Sequence, residues 1–246
     1  MAQKDLGNSR KVLTMLLGGL QKTSLIDYPG KLSCVLFFSG CNFDCPYCHN
    51  PQLARGCRVG FPSTIETQLY RFLKRRRTVL DGVVLSGGEP TIQKDLFSAC
   101  LKLKQMGYPV KLDTNGSRPQ VIRQLLDEKL VDYIAMDIKT DPLNYSPVIN
   151  RSQDAGRILA SIQIIKDSAP DYEFRTTCVK PLVSESVINK IGRRIKGAKR
   201  YTLQRFNNVN VLHPEYFLKI GRPHREDELL RLKELADPWV ADCLIR

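Results

Sequence analysis

Three cysteines lie close together in the stretch SGCNFDCPYCHNP, near the start of the chain. They are Cys41, Cys45 and Cys48, separated by three and then by two residues. Thiolates bind zinc and iron–sulfur clusters, and both kinds of centre usually take four protein ligands. Three ligands therefore predict a metal centre that keeps one coordination position for a substrate or cofactor.

Two metal centres are compatible with these cysteines. Zinc would need a fourth ligand, and His49 directly follows Cys48, so simultaneous coordination by both is geometrically awkward. His213 and His224 have no motif around them and are expected to be surface or packing residues. An iron–sulfur cluster with one open iron suits the spacing better. Tyr47 could then stack on a flat ligand beside the cluster, or simply pack within the loop.

Six short runs rich in β-forming residues alternate with stretches of helical periodicity. The runs are residues 32–38, 82–85, 110–112, 133–136, 174–179 and 201–203. This alternation predicts an α/β fold with a parallel sheet and right-handed crossovers. Six units are fewer than the eight of a closed barrel, so we expect an incomplete (β/α)6 barrel with an N-terminal strand or hairpin. A doubly wound open sheet is the alternative.

Polar residues follow each predicted strand, at the end where parallel sheets and barrels place their active sites. The second strand ends in Ser-Gly-Gly-Glu-Pro, the third in Asp-Thr-Asn-Gly and the fourth in Asp-Ile-Lys. The fifth strand carries an arginine and a threonine. Together these residues predict a polar pocket that faces the metal centre, lined by Gly87, Gly88, Glu89, Asp113, Thr114, Asp137, Lys139, Arg175 and Thr177.

Composition limits the class of protein. The 246 residues are 42% hydrophobic and contain no composition break, which predicts one domain with a substantial core. Residues 1–30 would form the N-terminal strand or hairpin, 31–206 the partial barrel and 207–246 a C-terminal helical tail. No run approaches the about 18 apolar residues of a membrane span. The eight cysteines are too scattered for a disulfide framework, so we expect a cytoplasmic protein without a membrane partner.

The net charge of +13 predicts attraction to an acidic partner, such as nucleic acid, a nucleotide or an acidic protein surface. The densest basic runs lie at residues 74–77 and between Arg193 and Arg205. Neither run has the interleaved aromatic residues of a platform for single-stranded nucleic acid. A solvated helix face explains each run equally well, so nucleic acid is the less expected partner.

The cysteine motif with its aromatic residue resembles the signature of the radical S-adenosylmethionine enzymes. Within this superfamily the chain is similar to the activating enzymes of glycyl radical enzymes, in particular those that serve anaerobic ribonucleotide reductase and pyruvate formate-lyase. The similarity covers the stretch LQKTSLIDYPGKLSCVLFFSGCNFDCPYCHNP and the segments LSGGEP, LDTNG and MDIK. It therefore extends over most of the chain.

This resemblance implies two cofactors. A [4Fe–4S] cluster would be bound by the three clustered cysteines, and its open iron would be chelated by the methionine part of S-adenosylmethionine. The Gly-Gly-Glu segment would receive the methionine ammonium, since a carboxylate suits that cation and glycines let the backbone come close. Thr114 would lie near the methionine carboxylate and Lys139 would reach the cofactor. A monovalent cation is expected near Asp113 and Asp137, where it would relieve carboxylate repulsion.

The resemblance also implies the reaction. A reduced cluster passes one electron to the sulfonium, and S-adenosylmethionine is cleaved to methionine and a 5′-deoxyadenosyl radical. That radical abstracts hydrogen from a glycine of a partner enzyme, expected to be anaerobic ribonucleotide reductase, and a flavodoxin- or ferredoxin-type protein would supply the electron. No side chain needs to act as an acid or base, because the cofactor does the chemistry.

Two other functions stay open. A radical enzyme that modifies RNA or a small molecule is favoured by the positive charge, and a zinc-stabilised nucleic-acid-binding module would lack catalysis. The chain also departs from the resemblance in two places. The sixth predicted strand leads to Phe206, where the formate-lyase activator offers a histidine near the cofactor. Cys57 stands alone after the cysteine motif, so a second, ferredoxin-like cluster is not expected.

Overall fold

The protein is built around one β-sheet. The computed structural model describes residues 16–56, 65–145, 149 and 155–246. Cys57 and the residues before position 16 lie outside these ranges. The spatial order of the strands is β1-β2-β3-β4-β5-β6-β7-β9, and the short β8 pairs with β6. The strands are β1 (Leu17–Ser24), β2 (Ser33–Phe38), β3 (Gly82–Gly87), β4 (Val110–Thr114), β5 (Tyr133–Asp137), β6 (Tyr172–Lys180), β7 (Tyr201–Arg205), β8 (Arg222–Pro223) and β9 (Cys243–Ile245).

The six predicted strands are the parallel neighbours β2 to β7, in chain order. A doubly wound sheet would reverse this order at a switch point, and no reversal occurs among β2 to β7. β1 precedes them and pairs with β2 in the antiparallel direction, as the expected N-terminal strand. The prediction of an incomplete α/β barrel is therefore confirmed.

Helices connect the strands and cover the outer side of the sheet. They are α1 (Pro51–Ala54), α2 (Ile65–Arg75), α3 (Leu96–Gln105), α4 (Pro119–Asp127), α5 (Ala155–Ser168), α6 (Glu185–Arg194), α7 (Pro214–Lys219) and α8 (Glu226–Ala236). Local signals explain several starts: proline opens α4, and the Ser184 hydroxyl accepts a hydrogen bond from the Val187 amide to begin α6. Buried helix residues such as Leu103 and Ile162 join Leu112 in the main core.

Successive side chains of each strand point to opposite sides of the sheet, and this alternation separates the core from the barrel interior. On β4, Leu112 packs in the main core beneath the helices. Its neighbours Lys111 and Asp113 face the other side, where the Lys111 ammonium lies 5.8 Å from the centre of the Tyr133 ring. Tyr133 belongs to a smaller apolar cluster with Val84. The barrel interior therefore has an apolar part, around Tyr133 and Val84, and a charged part, around Lys111 and Asp113.

Residues 207–246 contain α7 and α8 and also contribute two strands. β9 lies parallel to β7, and Tyr201 pairs with Cys243. β8 pairs with the end of β6 in the antiparallel direction. The division of the chain into residues 1–30, 31–206 and 207–246 stays a prediction. Every helix in the described part of the chain is too short or too polar to span a lipid bilayer.

The basic run at residues 74–77 lies at the end of α2 that leads into β3, away from the carboxyl ends of the strands. Arg77 donates hydrogen bonds to the carbonyl oxygens of Met106 and Gly107, at 2.9 and 2.8 Å. Its guanidinium also lies 5.0 Å from the centre of the Tyr108 ring. These carbonyls directly follow the last turn of α3, at the helix end where a cation is favourable. Arg77 therefore caps a helix.

Replacing Arg77 by alanine should lower the free energy of unfolding by about 1 kcal/mol, because two carbonyls at a helix end lose a charged donor. Lys74→Ala in the same run is the matched control and should stay within about 0.5 kcal/mol of the unmodified protein. Urea unfolding followed by circular dichroism measures both. Equal effects of the two variants would contradict the capping role.

Candidate metal and cofactor site

A cavity of about 210 Å³ lies at the carboxyl ends of the strands. Its walls come from the cysteine loop (residues 39–50) after β2 and from the ends of β3 to β7. All thirteen residues predicted for the site line this one cavity: Cys41, Cys45, Tyr47, Cys48, Gly87, Gly88, Glu89, Asp113, Thr114, Asp137, Lys139, Arg175 and Thr177. Their roles stay predictions, but the fold brings them together.

The cysteine loop is irregular, and hydrogen bonds to α1 fix its first part. The Gly40 amide donates to the carbonyl of Leu53 at 2.7 Å, and the Cys41 amide donates to the carbonyl of Ala54 at 3.2 Å. Gly40 has a φ of 97°, in the left-handed region that favours glycine. A turn follows, in which the Cys48 amide donates to the carbonyl of Cys45 at 3.0 Å.

The three thiols of the cysteine loop line the cavity and are surrounded by protein. Burial raises the pKa of Cys41 to about 11 and that of Cys45 to about 12, so both would carry protons without a metal and release them on metal binding. Among the described residues, no three His, Cys, Asp or Glu side chains are gathered around a single-ion site. An iron–sulfur cluster binds each thiolate at a separate iron, so it requires more widely spaced sulfurs. Cysteine thiolates are the ligands that iron–sulfur clusters take, so the chemistry of the three thiols fits such a cluster.

Two glycines at the end of β3 allow this strand to pass directly against the cysteine loop. A β-carbon on Gly88 would lie 2.0 Å from the carbonyl oxygen of Gly40. A β-carbon on Gly87, which has a φ of 107°, would lie 2.5 Å from the backbone of Phe38. The Glu89 amide then donates to the Gly40 carbonyl at 2.9 Å. The glycines are thus required for packing against the end of β2 and the start of the cysteine loop, whatever they also contribute to cofactor binding.

Glu89 is buried in the cavity wall, and its side chain connects the ends of β3 and β4. Its Oε1 accepts hydrogen bonds from the Thr91 amide and hydroxyl and from the Thr114 hydroxyl, at 3.1, 2.5 and 2.7 Å. Its Oε2 accepts one from the Asn115 amide at 2.7 Å. Burial raises the pKa of Glu89, and these hydrogen bonds oppose the rise. Because a carboxylate oxygen has two lone pairs, Oε2 can accept a further donor.

An alternating series of charges lies across the ends of β4, β5 and β6. The Arg175 Nε lies 2.7 Å from Asp137 Oδ1, and its Nη1 lies 3.5 Å from Asp113 Oδ1. Lys139 contacts Asp137 at 2.9 Å, and Lys111 contacts Asp113. Burial alone would raise the pKa values of both carboxyls, but the neighbouring cations outweigh it and hold them below their usual range. Arg175 thus supplies positive charge between the two carboxylates.

Aromatic rings pack around the end of the cysteine loop. Tyr47 is buried, and its ring packs edge-on against Phe206 with 6.4 Å between centroids. Phe206 also contacts the rings of His49 and Phe217, so it supports the loop. The residue of β7 that lines the cavity is Gln204, which lies two positions earlier. Cys57 lies outside the described residues.

Sequence reasoning did not select Gln204 or Asn115, and the structure places both on the cavity wall. Asn115 also donates from its side chain to Asn42 Oδ1 at 3.0 Å, which ties the end of β4 to the cysteine loop. Its position inside the Asp-Thr-Asn-Gly motif was a usable signal. For Gln204 the signal is period-two alternation along β7, which places it on the same side as Thr202.

Comparisons with known proteins agree with this geometry. Residues 35–186 match the model of the radical SAM superfamily, which is more than half of the chain. The chain therefore belongs to the radical S-adenosylmethionine superfamily of enzymes. Membership implies a [4Fe–4S] cluster and S-adenosylmethionine, and it excludes a zinc-stabilised binding module without catalysis.

Individual proteins show what the chain is similar to in sequence and in fold. A Methanocaldococcus jannaschii protein, named by inference as a glycyl-radical enzyme activating enzyme, is 35% identical over 236 residues, covering 94% of this chain and 95% of the relative. A pyruvate formate-lyase-activating enzyme of Clostridium pasteurianum is 33% identical over 125 residues, about half of each protein. The crystal structure of a Sphaerobacter thermophilus radical SAM methyltransferase is similar in fold, with a TM-score of 0.66, 16% identity, and coverage of 89% and 67%.

The thiols of the loop can be tested one at a time. Cys41→Ala, Cys45→Ala and Cys48→Ala should each abolish the brown chromophore after anaerobic reconstitution, together with cleavage of S-adenosylmethionine. Cys100→Ala is the matched control, because Cys100 is buried in the main core and does not line the cavity. Iron and sulfide analysis, with product chromatography, measures the result. Full cleavage activity in any of the first three variants would refute the assignment.

The charge series predicts a pH-dependent stability. Asp113 and Asp137 have lowered pKa values, so their stabilisation is complete above about pH 5 and is lost as the pH falls through the native values. Arg175→Gln should therefore cost about 3–5 kcal/mol near pH 7, and the difference from the unmodified protein should shrink in acid. Urea unfolding at several pH values measures it.

Arg200→Gln is the control for this experiment. Arg200 pairs with Asp242 at 2.9 Å in a more exposed position, so its loss should cost about 1 kcal/mol or less. A difference between Arg175→Gln and the unmodified protein that is the same at every pH would count against the charge series.

Proposed function

We propose that this protein activates a glycyl radical enzyme, and that its partner is anaerobic ribonucleotide reductase. The observation that carries the proposal is the 35% identity to a protein named as a glycyl-radical enzyme activating enzyme, over nearly the full length of both chains. The shorter match to a pyruvate formate-lyase-activating enzyme supports the same class of reaction. The choice of the reductase as partner rests on the sequence resemblance.

The cofactors, when bound, supply the one-electron chemistry that ends in abstraction of a hydrogen atom from glycine. The residues of the chain bind and orient them. The three loop cysteines would bind the cluster, and Glu89 would accept the methionine ammonium with the remaining lone pair of Oε2. Lys139 and Arg175 present positive charge to the methionine carboxylate. No side chain needs to take up or release a proton.

A monovalent cation near Asp113 and Asp137 is a further part of the proposal. It would add to the positive charge that Arg175 already brings between these carboxylates. A dependence of S-adenosylmethionine affinity on potassium or sodium concentration, at constant ionic strength, would support it.

An open groove beside the cofactor cavity supports a polypeptide substrate. The groove has a volume of about 960 Å³ and shares the wall residues His49 and Asn50 with the cavity. β1 and α1 line one side, and residues between Asn208 and Leu218 line the other. An extended segment that carries the target glycine could lie in it and reach the cofactor from the side. A cytoplasmic location and a flavodoxin- or ferredoxin-type electron donor complete the proposal.

Electron paramagnetic resonance provides the test. The reconstituted protein, S-adenosylmethionine and a reductant are mixed anaerobically with an anaerobic ribonucleotide reductase from the same source. We expect a glycyl radical doublet, absent when Cys45→Ala replaces the unmodified protein. A doublet with a formate-lyase instead would retain the activating function and refute the reductase as partner. Cofactor cleavage without a radical on either enzyme, but with modification of RNA or a small molecule, would refute the activating function.

A further inference from the structure

A segment after β7 contacts the cysteine loop from outside the family signature. We call residues 206–216 the C-terminal brace. It lies beyond residues 35–186, which match the superfamily model. Within it, the His213 amide donates to the carbonyl oxygen of Pro46 at 3.1 Å. The His213 Nε2 also lies 2.8 Å from Asp44 Oδ1, so side chain and backbone both contact the middle of the loop.

Other residues of the brace contact the end of the loop and the helix that follows it. The His49 Nδ1 lies 3.3 Å from the carbonyl oxygen of Val209, and the Phe206 ring packs against His49. The Arg55 guanidinium donates to the carbonyl oxygen of Leu212 at 3.0 Å. The brace therefore fixes the loop around its second and third cysteines, whereas α1 fixes the first.

The His213 side chain lies between two carboxylates. Its Nδ1 is 3.0 Å from Glu215 Oε1, while Nε2 faces Asp44. Ionised carboxylates only accept hydrogen bonds, so both contacts require a proton on each ring nitrogen. In agreement, the hydrogen bond to Asp44 and the nearby Glu215 raise the pKa of His213. A charged imidazolium thus connects the start of α7 with the cysteine loop.

We propose that His213 is a positioning residue for the metal centre. Through Asp44 and Pro46 it fixes the loop conformation, and hence the placement of the thiolates that hold the cluster. Asp44 and Pro46 flank Cys45, so a displacement of the backbone at either residue also displaces this ligand. The inference rests on the cluster that the family implies and is independent of which substrate the enzyme acts on. It can therefore fail or succeed separately from the activating function.

The test uses the reconstituted holoenzyme. In metalloproteins, loss of a group that orients a ligand typically costs about 10- to 100-fold in metal affinity. His213→Ala should therefore lose iron to a chelator about 10-fold faster, and the resonance spectrum of its reduced cluster with S-adenosylmethionine should change. His213→Gln keeps an N–H donor for Asp44 and should recover part of both properties.

His224→Gln is the matched control, because His224 contacts the Val183 carbonyl at 2.8 Å and does not touch the loop. It should release iron at the unmodified rate. The proposal would be overturned if His213→Ala lost iron at the same rate as the unmodified protein and gave the same resonance spectrum. A lowered unfolding midpoint with an unchanged spectrum would overturn it too, since that result assigns His213 to general stability.

A second comparison tests whether His213 acts through Asp44 and stays decisive if His213→Ala does not fold. Asp44→Asn should accelerate iron loss on its own, because the amide weakens the contact with the imidazolium. In the double variant with His213→Gln, the loss should be no faster than in the more affected single variant. The proposal that His213 acts through Asp44 would be overturned if the effects of the two substitutions on iron loss were additive. It would also be overturned if Asp44→Asn lost iron at the same rate as the unmodified protein.

Discussion

Alternation of charge inside the barrel is the constraint on which the site depends. Removing an ion from water costs several kcal/mol, and that cost is offset only where opposite charges and hydrogen bonds lie within reach. Five side chains satisfy this condition as a series in which each cation neighbours a carboxylate. In order, they are Lys111, Asp113, Arg175, Asp137 and Lys139. The net positive charge of the series leaves it suited to an additional anionic group, such as the carboxylate of an amino acid.

Strand register makes this series possible. Asp137 on β5 is the direct parallel partner of Arg175 on β6, and Asp113 on β4 is paired with Ala135. A shift by one residue would turn these side chains toward the main core, where they would meet leucine and isoleucine instead of opposite charges. The apolar residues on the same strands, such as Ile134, oppose such a shift from the other side. The same register of β4, β5 and β6 therefore determines both the packing of the core and the positions of the charged side chains.

Sequence patterns predict those features whose signal lies in neighbouring residues. The strands have local β-rich runs, and the cysteine and strand-end motifs involve short spacings. The brace could not be predicted in this way, because His213 and Asp44 are 169 positions apart and no local pattern relates them. For Gln204 the only signal is the period-two alternation along β7, and the three residues of β9 lie outside the six predicted strand–helix units. Arg77 belongs to a basic run whose helix-capping contacts exist only in three dimensions.

The late position of β9 has a consequence for synthesis of the chain. β9 covers the outer edge of β7, but α7, β8 and α8 must be made before it. A chain emerges from the ribosome amino end first. Strands β2 to β7 can therefore pair with one another before β9 has been made, and until then the backbone groups along that edge of β7 stay unpaired. An uncovered edge can pair with strands of other molecules. Slow translation of the part of the message that encodes residues 206–245 would therefore lengthen the period in which nascent chains can associate through β7.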